Sequence, residues 1–277
     1  MSLSTPRLSH LPRLIGHRGA AAIAPENTLG AFRAAAHAGL KMVEYDVKLS
    51  ADGIPVVIHD DSLERTTTGT GAVRDWLAAD LAGLDASIPI LDWPEREPVP
   101  TLVAVLDLLD AAGMGSNIEI KPCPGREAET AEVVADLVAH RHRRPTDPGN
   151  PVVFSSFALE SLTALRRQDP NAVLGLLLEP PSADDLARET LPVEAWYVLL
   201  RELNAASLHL SAQACRPQIV DAVHKTGTAI LAWTVNQPKH CTALWERGVD
   251  AIITDLPEEI QLLGEDMFQT RRLEQGI

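Results

Sequence analysis

Eight short β-rich runs, each followed by an Ala/Leu-rich stretch of helical pattern, limit what this chain can fold into. The runs are 13–17 (RLIGH), 42–48 (MVEYDVK), 117–121 (NIEIK), 151–155 (PVVFS), 173–178 (VLGLLL), 207–210 (SLHL), 229–234 (AILAWT) and 251–254 (AIIT). Helices are expected between and after them, over 27–38, 101–112, 126–142, 158–168, 182–190, 216–226, 238–247 and 257–264. Regular alternation of this kind marks a parallel α/β protein. Eight strand–helix pairs in 277 residues fit a (β/α)8 TIM barrel better than a doubly wound sheet. No Gly/Ser tract divides the chain, so residues 1–277 read as one domain.

Two stretches break the alternation. The apolar run 54–58 (IPVVI) follows the second strand after only a short turn, too close for a parallel crossover. Asp52-Gly53 is a hairpin signal, and as a two-residue loop it pairs Ala51 with Ile54 and brings His59 opposite Asp46. Residues 60–100 are too long for an ordinary loop and carry a Thr/Gly stretch, a predicted helix over 75–84 and a Pro-rich exit. They read as an insertion over the C-terminal face of the barrel, where long loops shape a site.

Ionisable residues fall at strand spacing in these same runs. Glu44 and Asp46 are two apart, as are Glu119 and Lys121, so each pair shares a strand face. His17-Arg18 closes the first run and His59-Asp60 the hairpin, and polar residues at strand C-terminal ends line a barrel's active face. Each cluster alone has a plain structural reading: a capping His, a solvated acid pair, an internal salt bridge. Together they compose one pocket, because buried carboxylates are costly unless paired or metal-bound.

Carboxylates from Glu44, Asp46 and Glu119 suit a hard divalent cation, Mg²⁺ or Ca²⁺. His17 and His59 are then free for proton transfer, and Arg18 and Lys121 can hold phosphate oxygens. Trp233, late in an apolar strand, fits either stacking on a ligand or core filling. Glu26-Asn27 after Pro25 reads as a helix start, with a supporting role at the site left open.

The formal charge of −14, from 24 basic and 38 acidic residues, argues against general nucleic-acid binding. An anionic substrate must then rely on local cations and a metal. Cys123, Cys215 and Cys241 lack metal-type spacing and read as reduced structural thiols. Residues 1–13 hold no apolar signal region, and no stretch reaches the ~20 apolar residues of a membrane span. A cytoplasmic protein without stable membrane association is the expectation.

These residues, in this order, resemble the glycerophosphodiester phosphodiesterase family. The resemblance runs through Gly16-His17-Arg18-Gly19, Pro25-Glu26-Asn27-Thr28, Glu44-Tyr45-Asp46-Val47, Asp52-Gly53, Val56-Val57-Ile58-His59-Asp60, Arg65-Thr66-Thr67, Ile118-Glu119-Ile120-Lys121, Trp233-Thr234-Val235-Asn236, and Asp250 to Asp255. Between 180 and 215 no motif is recognised. The resemblance implies a metal-dependent barrel enzyme that cleaves glycerophosphodiesters to glycerol 3-phosphate and an alcohol. It implies Glu44, Asp46 and Glu119 as metal ligands, and His17 and His59 as the acid/base pair. Arg18 and Lys121 would contact phosphate, and Trp233 would flank the glycerol. Two other readings stay open: a related barrel phosphodiesterase acting on lysophospholipids, and a non-catalytic barrel that binds phosphoesters.

Overall fold

The computed structural model describes residues 8, 11–142, 150–180, 182 and 193–260. Among the described residues there are nine strands: β1 (Leu14–His17), β2 (Met42–Leu49), β3 (Pro55–Val57), β4 (Gly115–Ile120), β5 (Val152–Ser156), β6 (Leu174–Leu177), β7 (Ser207–Ser211), β8 (Ala229–Trp233) and β9 (Ala251–Thr254). All except β3 run parallel in the order β1-β9-β8-β7-β6-β5-β4-β2, and pairing of β1 with β2 closes the ring. This is the (β/α)8 barrel that the alternation predicts. The helices are α1 (Leu29–His37), α2 (Ala78–Leu81), α3 (Leu102–Ala112), α4 (Glu127–His142), α5 (Leu159–Gln168), α6 (Val193–Leu203), α7 (Pro217–His224) and α8 (Pro238–Glu246), and residues 257–260 are also helical.

Period-two alternation sorts each strand between two environments. All eight residues of β2 are buried. Val43, Tyr45 and Val47 join Phe32, Leu102 and Ile118 in the layer between barrel and helices. Met42 faces the lumen, where it packs with Ile15, Val153, Leu231, Ala251 and Ile253 as an apolar plug. Glu44, Asp46 and Lys48 continue the Met42 face and carry the polar end of the same stripe.

Three local expectations are corrected. In the hairpin, Val47 pairs with Val57, Lys48 with Val56 and Leu49 with Pro55, one position away from the expected register. The loop has three residues rather than two. Ser50 N–H donates to the Ile54 carbonyl, and the Ser50 hydroxyl oxygen accepts from Ile54 N–H and donates to its carbonyl. Gly53 at φ 75° takes the left-handed position that such a loop needs. The helix predicted over 75–84 shrinks to a 3₁₀ turn (Val73–Asp75) and α2, because Trp76 and Leu77 are extended. There the Trp76 carbonyl accepts from Ala51 N–H, and the Asp52 carboxylate accepts from Ala78 N–H at the start of α2.

The third correction is α1, which begins at Leu29 with Thr28 as its N-cap, while Asn27 sits at φ 59° outside it. Helix α6 was not anticipated; Trp196, Leu200 and Leu203 are its buried side. The helix expected over 182–190 lies outside the described residues. Between β3 and α3 the chain builds a separate small core of Val56, Ile58, Leu63, Val73, Leu81 and Val99.

Candidate active site

Strand register assembles the acidic centre. Parallel pairing sets His17 beside Glu44 in β1/β2, and Asp46 beside Glu119 in β2/β4. Ligand oxygens of Glu44, Asp46 and Glu119 all lie within 4.8 Å of one another, and all three residues are buried. A cavity of about 740 Å³ opens over them, lined by His17, Arg18, Glu44, His59, Glu119, Lys121 and Trp233 among others. Every site residue expected from the sequence therefore reaches one place, with Asp46 enclosed by its partners. The hairpin does bring His59 to the carboxylates, although not by direct pairing with Asp46.

Arg18 and Lys121 are the cations of the cluster. Arg18 Nε lies 3.4 Å and Lys121 Nζ 3.6 Å from Asp46, and Lys121 Nζ donates to Glu119 at 3.1 Å. Arg18 adopts φ 49°, a strained position for a residue with a side chain, and its N–H donates to Glu44 Oε2 at 3.1 Å. Asn27, also left-handed, donates from Nδ2 to Asp46 Oδ2 at 2.9 Å and receives the Asp46 N–H on Oδ1. Glu26 accepts from Arg18 at 2.7 Å.

Burial pushes the Glu44 carboxyl well above its usual range, and the neighbouring Asp46 and Glu119 charges add to the effect. Burial likewise raises Glu119 to about 7, with Asp46 adding and Lys121 opposing. For Asp46 burial acts upward too, but Arg18, Lys121 and His59 outweigh it and hold the group down at about 2. The donor set fits a hard divalent cation on two counts. Three oxygens converge, and Glu44 Oε1 is buried with no hydrogen-bond partner among the described residues.

Each imidazole is held by a carboxylate. His17 Nδ1 lies 2.6 Å from Asp255 Oδ1, and Asn236 Nδ2 donates to Asp255 Oδ2 at 2.6 Å. His59 Nδ1 lies 2.5 Å from Asp60 Oδ1. Arg65 grips Asp60 through Nε and Nη2 and reaches across to both oxygens of Glu26. The Arg65 and His59 bonds hold the Asp60 pKa below the usual carboxylate range. Burial opposes a fall at Asp255, but its bonds to His17 and Asn236 prevail and lower it. Two ionised carboxylates thus fix both Nδ1 atoms, which leaves each Nε2 for chemistry. Burial lowers the His59 pKa, against the opposing charge of Asp46. Trp233 stacks edge-on against Phe157, whose ring lies 5.7 Å from Lys121 Nζ.

A family model described as glycerophosphoryl diester phosphodiesterase family matches residues 17–259. The chain belongs to that family. A glycerophosphodiester phosphodiesterase of Caldanaerobacter subterraneus subsp. tengcongensis is 33% identical over 251 residues, covering 89% of this chain and 95% of the relative. One from Bacillus altitudinis is 29% identical over 259 residues, covering 93% of this chain and 100% of the relative. Among solved structures, an Oleispira antarctica phosphodiesterase in complex with the product sn-glycerol-3-phosphate superposes with a TM-score of 0.83 at 34% identity. That match covers 93% of this chain and 98% of the other. The chain is accordingly a phosphodiesterase, and its fold is that of the family.

Sequence reasoning left the supporting residues unassigned. Asp60, Asp255 and Asn236 lie inside the recognised motifs, and a carboxylate directly after His59 was a readable signal. Asp255 and His17 meet only through the pairing of β9 with β1, which a separation of 238 positions along the chain conceals.

Proposed function

We propose that the protein hydrolyses glycerophosphodiesters to sn-glycerol 3-phosphate and an alcohol, with His17 and His59 as the acid/base pair. The observation that carries this reading is the meeting of three buried carboxylates with two imidazoles, each pinned through Nδ1 by its own aspartate. Glu44, Asp46 and Glu119 would hold Mg²⁺ or Ca²⁺. Such an ion would supply positive charge to the phosphoryl oxygens as ester cleavage proceeds.

Arg18 and Lys121 bind and orient the phosphate, Arg as a planar fork and Lys as a point charge. One imidazole Nε2, read here as that of His17, takes the proton of the attacking oxygen, and the other returns a proton to the leaving alcohol. Each transfer is worth about 10²–10⁴-fold in rate. Phe157 and Trp233 wall the cavity beside Lys121 and would flank the glycerol. The attacking group is water or the neighbouring glycerol hydroxyl through a cyclic phosphate, and ¹⁸O incorporation from solvent in a single turnover separates them.

Residues 1–277 act as one barrel unit in this reading, with 60–100 as a cover over the site: Asp60 and Asp61 enter the cavity from its start. No described helix is long and apolar enough to cross a membrane, which agrees with a diffusible substrate. The deciding experiment is a metal-supplemented screen of glycerophosphocholine, glycerophosphoethanolamine and glycerophosphoglycerol against lysophosphatidylcholine. Turnover of the first three is expected. Preference for the lysophospholipid would move the assignment to the lipid-cleaving relatives, and tight binding without turnover would favour a non-catalytic barrel.

A further inference from the structure

In the wall of the same cavity, two side chains carry polar atoms that the chemistry described so far does not use. Asn117 follows Glu44 across the β2/β4 pair and is 1% exposed, yet neither Oδ1 nor Nδ2 has a hydrogen-bond partner among the described residues. His209, three strands away on β7, is fully buried, and its Nδ1 is likewise without a partner. Both side chains line the same cavity as His17 and Glu119.

The seat of His209 is specific. Its Nε2 meets Ser207 Oγ at 2.9 Å, and the ring fills the space left by Gly175 on the adjoining strand. A Cβ at 175 would come within 2.5 Å of His209 Nε2 and 2.9 Å of Ser207 Oγ. Burial lowers the imidazole pKa to about 3, so the ring is neutral at working pH. A neutral imidazole offers Nδ1 as donor or acceptor according to how the Ser207 hydroxyl turns, and the Asn117 amide offers one of each. A hydroxyl group, itself donor and acceptor, satisfies every combination. An ammonium would find no counter-charge on these two residues, and a phosphate would meet the Glu44 carboxylate on the strand next to Asn117. Buried polar atoms left unpaired are costly, so their arrangement points to a partner that arrives with the ligand.

We propose that Asn117 and His209 form a hydroxyl-binding floor that selects phosphodiesters whose esterified alcohol carries further hydroxyl groups. This rests on the functional reading above and names residues that set the preference for the polyol end. A site built to hydrogen-bond a hydroxyl rejects analogues lacking it far more strongly than an apolar pocket can.

The test is a binding ratio. Calorimetry on the Ca²⁺-loaded protein compares sn-glycerol 3-phosphate with propyl phosphate, which keeps the phosphate and chain length but lacks both hydroxyls. The wild type should favour glycerol 3-phosphate, and His209→Leu and Asn117→Leu should each cut that preference by about ten-fold or more. His209→Asn, which retains an amide near the Nδ1 position, should keep more of it than His209→Leu. Thermal melts confirm that the variants are folded, and should His209→Leu fail to fold, Asn117→Leu and His209→Asn carry the comparison. Equal wild-type affinity for the two phosphates, binding of neither, or an unchanged ratio in the folded variants would overturn the proposal; the last result would leave the floor a water site only. Because the readout is binding, absent turnover of every glycerophosphodiester would sink the functional reading separately.

Discussion

His17 and His59 share a design in which an aspartate fixes Nδ1 and a further side chain fixes the aspartate. Replacing His59 by Ala should lower kcat by about 10²–10⁴-fold while KM changes little, as measured by steady-state kinetics. Comparable KM and kcat to wild type would remove His59 from proton transfer. Replacing Asp255 by Asn leaves the His17 contact in place but reverses its hydrogen-bonding preference, so kcat should fall with substrate affinity nearly intact. At the metal cluster, Glu119→Gln and Glu44→Gln should each raise the cation concentration needed for half-maximal activity, and chelator should abolish wild-type turnover. Undiminished activity in chelator would refute a metal centre. These residue types were legible in the sequence because i, i+2 spacing on a strand has one geometric meaning. The orienting aspartates were less so, since their role appears only once distant strands pair.

At the level of elements, all eight barrel strands were readable from apolar runs, and the β2/β4 adjacency followed from leaving the hairpin strand outside the ring. The hairpin register was not, because Asp-Gly serves both two- and three-residue loops and only the Ser50 hydrogen bonds decide between them. Similarly, helix pattern over 75–84 lost to tertiary pairing of Trp76 with the β2–β3 turn. One strut joins these elements. Lys48, 1% exposed at the end of the Glu44/Asp46 stripe, donates from Nζ to Asp61 at 2.6 Å and to the Lys121 carbonyl at 3.0 Å. Lys48→Met deletes a charge-assisted bond and strands a carbonyl. Denaturant unfolding should show a loss of about 1–3 kcal/mol.

Across the whole molecule, charge and protonation set the conditions under which the barrel works. The neutral, buried His209 has a folded pKa of about 3 against 6.5 for the free side chain, so the unfolded chain binds the extra proton first. Stability from this residue is complete well above pH 6.5 and declines as pH falls toward 3, at up to about 1.4 kcal/mol per pH unit. Chemical denaturation at pH 7 and 5 should therefore show a smaller acid penalty in His209→Leu than in wild type. With a formal charge of −14, the surface repels anionic substrate, so added salt should raise kcat/KM for glycerophosphoglycerol until local contacts are screened as well. Closure of the ring also has a functional reach. β1 and β9 are the first and last of the described strands, and the His17–Asp255 contact spans the seam where they meet. Fraying at that seam would uncouple the dyad before the rest of the barrel melts, so loss of turnover should serve as an early indicator of unzipping between β1 and β9.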